Sequence, residues 1–185
     1  MHLKHLTTAL LFSALLSTAA LAEDGNTLRI GTPEASQPQD NPQADARAAF
    51  ERGDMAAALK ILEPLAWSGD ASAQYNLGVI YNNGQGGVAR DMAKAVSWYD
   101  KSARQGNALA QLNLGILYRQ GQGVAQDYPR AYMWTEMSKA GLTGAEGAQA
   151  ARYSREIAKL MTPEQTEAAE EMIDNCKLAG VRSCD

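Results

Sequence analysis

The feature that most constrains this chain is an internal repeat. Residues 71–102, ASAQYNLGVIYNNGQGGVARDMAKAVSWYDKS, lie over 108–138, ALAQLNLGILYRQGQGVAQDYPRAYMWTEMS, with one gap opposite Gly87. Of the 31 aligned pairs 16 are identical, among them Ala73/Ala110, Gln74/Gln111, Asn76/Asn113, Leu77/Leu114, Gly78/Gly115, Tyr81/Tyr118, Asp91/Asp127, Ala95/Ala131 and Trp98/Trp134. A period of 36–37 residues belongs to solenoids of helix-turn-helix units, in which each unit buries its apolar face only against its neighbours. A weaker copy precedes the two: Asp54, Ala58, Ile61, Ala66, Gly69 and Ala71 stand 37 residues before Asp91, Ala95, Trp98, Ala103, Gly106 and Ala108.

Each unit divides into two helices. In the first, Ala73, Leu77 and Tyr81 recur at i, i+4 and i+8 and share a face. In the second, Ala95, Trp98, Tyr99 and Ser102 follow at i, i+3, i+4 and i+7, which turns the aromatic rings toward the partner helix. Gly78 and Gly115 fall inside the first helices, where glycine costs about 1 kcal/mol relative to alanine. Their presence is explained if a second helix crosses there too closely for a side chain. Gly84-Gln85-Gly86-Gly87 and Gly121-Gln122-Gly123 supply the positive-φ positions that end one helix and start the turn to the next.

The remaining composition agrees with an all-α fold. Only 6% of the 185 residues are aromatic, and Val, Ile and Thr are scattered rather than alternating. The chain opens with a short basic stretch, an apolar run from Leu6 to Leu16 and the small-x-small site Ala20-Leu21-Ala22, the pattern of a secretory signal peptide cleaved after Ala22. No Cys follows that site to carry a lipid, so the expected product is periplasmic or secreted and keeps no stable membrane insertion. Residues 23–40 hold two Gly and two Pro among polar residues and read as a flexible linker. From Asn41, a good N-cap ahead of Pro42, the chain becomes Ala-rich and helical in period. The expected organisation is a repeat domain over 41–178, with a partial repeat at 41–70, clear repeats at 71–107 and 108–143 and capping helices over 144–178, then a tail at 179–185. Thr162-Pro163-Glu164-Gln165 carries the capping box that opens the last helix.

Loss of the leader limits the chemistry. Both histidines of the chain, His2 and His5, leave with it. A chain without His has neither the commonest general base near neutral pH nor the commonest metal ligand. Triads that need His and His-based zinc sites are thereby excluded, and no catalytic, metal or cofactor site is assigned. Sixteen basic residues then face 21 acidic ones, an acidic balance unsuited to neutralising the phosphates of nucleic acid. The two cysteines, Cys176 and Cys184, are expected as a disulfide pinning the C-terminal tail, since a redox-active pair is usually C-x-x-C at a helix start.

Residues 71–138 resemble the Sel-one-like repeat family, relatives of the tetratricopeptide repeats. The resemblance rests on Ala73, Leu77, Gly78, Tyr81 and Gly84 of one helix and Asp91, Lys94, Ala95 and Trp98 of the next, echoed in the second unit. It covers two full units and the second helix of an earlier one. It implies a right-handed α-solenoid of antiparallel helix pairs, about four of them, and the role of a non-catalytic adaptor or scaffold that holds a protein or peptide segment in a concave groove lined by first helices. Positions that differ between otherwise identical units mark the candidate groove residues: Tyr75, Asn82, Asn83, Arg119 and Gln120.

Three other functions bear comparison with these residues. The Gly-Gln-Gly-Gly loop lacks the strand and lysine of a phosphate-binding loop and recurs where a helix turn is needed. A cell-wall or β-lactam hydrolase is an alternative role, but the chain after Ala22 contains no S-x-x-K, S-D-N or K-T-G. A secreted factor engaging a host protein is the other. Trp98 and Trp134 recur at one phase and are expected to pack between helices, which leaves Trp67 as the less constrained tryptophan.

Overall fold

The computed structural model describes residues 41–184. The expected leader 1–22 and linker 23–40 lie outside the described residues, as does Asp185. The described chain forms eight α-helices and a closing 3-10 turn, with no strand among the described residues: α1 (Pro42–Glu51), α2 (Met55–Trp67), α3 (Ala71–Asn83), α4 (Met92–Ala103), α5 (Ala108–Gln120), α6 (Tyr128–Ser138), α7 (Gly144–Ala158), α8 (Pro163–Ala179) and the turn Val181–Ser183.

Repeated caps set the boundaries. Asp54, Asp91 and Asp127 begin the second helices, each side chain accepting a backbone N–H three residues on, at 3.0, 3.0 and 2.9 Å. Asp70 and Asn107 cap the first helices α3 and α5 in the same way, at 2.7 and 3.0 Å. These bonds satisfy donors that every helix start leaves without an intrahelical partner. At the far ends of α3 and α5, Gly84 and Gly121 adopt the left-handed conformation at φ 67° and 66°. The cap on Asp54 belongs to the same series, and α1, opened by Asn41 and Pro42 as the sequence predicts, packs on α2 to complete a leading pair.

Three antiparallel pairs form, α1 with α2, α3 with α4 and α5 with α6, and each second helix packs against the first helix of the next pair. Their closeness has a steric signature. A Cβ on Gly78 would lie 2.5 Å from the Tyr99 ring, and one on Gly115 would lie 2.8 Å from Thr135 Cγ2 and 2.9 Å from the Ala131 carbonyl oxygen. Junctions between pairs use one device twice. The buried Gln74 Nε2 donates to the Ala66 carbonyl at 3.0 Å, and Gln111 Nε2 donates to the Ala103 carbonyl at 3.1 Å. Each glutamine thereby covers a carbonyl at the C-terminal end of the preceding second helix.

The expected fourth pair does not form. Both α7 and α8 pack against α6 rather than against each other. The reason is local: α7 is rich in Gly and Ala, buries only Ala150, Ser154 and Ile157, and offers no Leu-Gly-x-x-Tyr face to a partner. The last helix instead brings Ile173 and Cys176 to the core around Met133 and Trp134. Cys176 and Cys184 are disulfide-bonded, and both are buried in that core.

Candidate interaction groove

The first helices of successive pairs touch directly, α3 with α5 and α5 with α7, and share one face. On α3 that face carries Tyr75, Val79, Asn82 and Asn83, at i, i+4, i+7 and i+8. On α5 it carries Asn113, Ile116 and Gln120. Between them lies a cavity of about 350 Å³, lined also by Arg90, Tyr99 and Gln122. Tyr75 and Val79 also line a neighbouring cavity of about 420 Å³ toward α1, whose walls include Ala46, Phe50 and Leu62. The face therefore changes from apolar beside α1 to amide-rich beside α5.

Four of the five candidate positions, Tyr75, Asn82, Asn83 and Gln120, line the α3–α5 cavity. Arg119 does not. It turns to α7, with Nη2 3.6 Å from Glu156 Oε2 and the guanidinium 5.6 Å from the Tyr153 ring centre. One residue of shift on a helix is a turn of about 100°, which separates Arg119 from Gln120.

The cavity is held by bonds among its own walls. Tyr75 and Tyr99 stand with ring centres 5.9 Å apart, and the Asn113 side chain lines the same cavity. Burial pushes both phenols above their usual range, Tyr99 the further because it is the more deeply buried and Tyr75 adds to it, while Asn113 works against the shift. Arg90 Nε donates to the Asn82 carbonyl at 3.0 Å, and Gln126 Nε2 donates to the Arg119 carbonyl at 2.8 Å in the matching place of the next unit. Asn82 Nδ2 donates to Asn83 Oδ1 at 2.8 Å. Beyond the cavity, the Arg152 guanidinium bonded to Glu156 holds that carboxyl below the ordinary range, with Arg119 adding to the effect.

Asn113 and Arg90 are groove residues that the sequence comparison passed over. Asn113 is identical to Asn76 in the preceding unit, and a search for differing positions discards it. The usable signal was phase, since Asn113 lies on the same face of its helix as Gln120.

The site offers amide, phenol and guanidinium groups. Among the described residues, no group of three or more His, Cys, Asp or Glu side chains is placed to hold a metal ion. No described helix is long and apolar enough to cross a membrane.

Residues 71–107 and 108–140 match the model of the Sel1 repeat. Among solved structures, the chain is similar to a protective antigen present in uropathogenic Escherichia coli strains that displays an SLR fold. That match has 28% identity and a TM-score of 0.64 and covers 73% of this chain and 29% of the other. It is also similar to a Sel1 repeat protein from Oxalobacter formigenes, at 34% identity and a TM-score of 0.52, covering 58% of this chain and 32% of the other. The chain thus spans about a third of the length of either protein. No curated protein matches it. Sel1 repeats are generally protein-interaction modules. Two Sel1 repeats in register over residues 71–140, their paired helices and these structural neighbours together support the Sel1-like repeat family for this chain.

Proposed function

We propose that this protein is a non-catalytic interaction module of the cell envelope or extracellular space, and that it holds an extended protein segment along the face of α1, α3 and α5. The observation that carries the reading is the α3–α5 cavity. Asn82, Asn83, Asn113, Gln120 and Gln122 bring amides to one groove, and amides can both donate to and accept from a peptide backbone. The apolar stretch at Phe50, Leu62 and Val79 beside it gives the segment's side chains a place to bury. The Cys176–Cys184 disulfide supports an oxidising location.

The test places a photo-crosslinker at the exposed position 83 and identifies captured species from the native envelope by mass spectrometry. One dominant protein adduct is expected, lost in an Asn82→Ala/Gln120→Ala variant of unchanged helicity. No protein adduct, or glycan fragments alone, overturns the reading. Arg119 is kept out of the variant because it ties α5 to α7. A secreted factor engaging a host protein is the second reading, supported by the likeness to a protective antigen. Recovery of the protein from the culture medium rather than the periplasm would decide for it.

A further inference from the structure

Trp67 is a residue that the repeat does not require. In the next unit Arg104 takes its place and Met137 takes that of Lys101, although Trp98 and Trp134 are the same. The Trp67 side chain is 71% exposed, yet it is ordered against the protein. Its ring stands edge-on to Trp98, with centres 5.0 Å apart and planes at 76°. The two indoles make a corner on the flank of α2 and α4. Leu77 and Tyr81 line the same cavity, two residues along α3 from Tyr75 and Val79 and so turned about 200° away from the groove.

The corner already holds a cation. Lys101 Nζ lies 4.9 Å from the Trp67 ring centre and 4.3 Å from that of Trp98. Among the described residues no carboxylate forms an ion pair with it. Two turns earlier on α4, Lys94 Nζ lies 5.2 Å from the Tyr81 ring centre. The cavity they border has a volume of about 300 Å³ and includes Glu63 in its wall.

We propose that this corner is a binding site for a quaternary ammonium group of the choline type, with the Lys101 ammonium as its internal placeholder. Two indole faces set nearly at right angles attract a positive charge from two directions, the arrangement by which aromatic cages take quaternary ammonium ligands. A trimethylammonium group donates no hydrogen bonds and is less strongly hydrated than a lysine ammonium, so it loses less on leaving water and displaces Lys101. Glu63 supplies negative charge at the wall. Once displaced, Lys101 is free to meet the phosphate or carboxylate that such ligands carry.

The experiment follows the indole N–H resonances of the isotope-labelled protein during titration with choline chloride, with potassium chloride as the control. The Trp67 and Trp98 signals are expected to move saturably while Trp134 stays fixed. Lys101→Met copies the next repeat and removes the competitor, so affinity should rise about two- to fivefold, the span of a surface cation–π contact. Trp67→Ala should abolish the response while helix content by circular dichroism stays that of the parent. Co-sedimentation with phosphatidylcholine vesicles, retained by Lys101→Met and lost by Trp67→Ala, assigns the group to a lipid headgroup. A response to choline alone assigns it to a free solute. The proposal is overturned if neither the parent nor Lys101→Met responds saturably, or if Lys101→Met binds no more tightly than the parent.

Discussion

At Gly78 and Gly115 a single hydrogen atom decides whether two helices can pack. Alanine would gain about 1 kcal/mol of helix propensity at either position, so any net loss measures the clash. The clashes differ in kind. At Gly78 the obstacle is the Tyr99 ring, a side chain, whereas at Gly115 it includes the Ala131 carbonyl, which cannot rotate away. Gly115→Ala is therefore expected to lower the urea midpoint more than Gly78→Ala does. Gly78→Leu, which overfills the crossing outright, should cost at least about 1–3 kcal/mol. A Gly78→Leu variant that melts like the parent would show the crossing to lie elsewhere. The aromatic flank obeys a different rule: Trp67 lies outside the packed core and meets it at Trp98, so its removal is felt by a ligand more than by the fold.

The junctions between pairs depend on buried glutamines. Ala66 and Ala103 are the last or nearly last residues of α2 and α4, and their carbonyls accept the backbone N–H of Gly69 and Gly106 in the turns that follow, at 3.1 and 2.9 Å. Gln74 and Gln111 add a second donor to each, and Gln74 Oε1 in turn accepts from Gln105 Nε2 at 2.7 Å. Gln111→Leu keeps the apolar volume and removes the second donor, leaving the Ala103 carbonyl only its bond from Gly106. It should lose about 0.5–1.5 kcal/mol, read as a lower denaturant midpoint at unchanged helix content by circular dichroism. The repeat identity at these glutamines was visible in the sequence, but not their work, because a bond to a residue eight positions back leaves no local pattern. The caps and glycine turns were legible because they are local rules of spacing. The leading pair was half hidden because Arg52-Gly53-Asp54 makes its turn without the long glycine loop. For the groove, the positions that differ between the units were Tyr75, Asn82, Asn83 and Gln120, which line one cavity, and Arg119, which turns instead to the Glu156 carboxylate on α7, outside the repeat. The course of α8 was likewise unreadable, since its partner is set by what α7 fails to offer.

On the scale of the whole molecule, stability is distributed between two linked cores. One gathers Ala46, Leu62, Leu77, Ile80 and Trp98, and the other gathers Tyr99, Leu114, Met133, Trp134 and the disulfide. The Cys176–Cys184 bridge spans a sequence separation of 8, yet its sulfurs lie in the second core rather than at a loose end. Reduction is expected to cost about 2–3 kcal/mol, on the chain-entropy account of a short closed loop. Thermal melting with and without reductant measures it, and a Cys176→Ala/Cys184→Ala variant should melt like the reduced parent. An unchanged melting temperature would mean that packing of Ile173 against α6 suffices to hold α8.

Both glutamine junctions bridge the same interval, from a first helix to the second helix before it. A further copy of residues 71–107 placed after residue 107 would therefore present the right half of that junction on each side. The two ends of the stack, one a pair with a tight turn and the other a helix folded back and tied by sulfur, would be left as they are. Length is thus the one dimension of this protein that gene duplication can change without redesign, and the groove could grow by one amide-lined segment at a time.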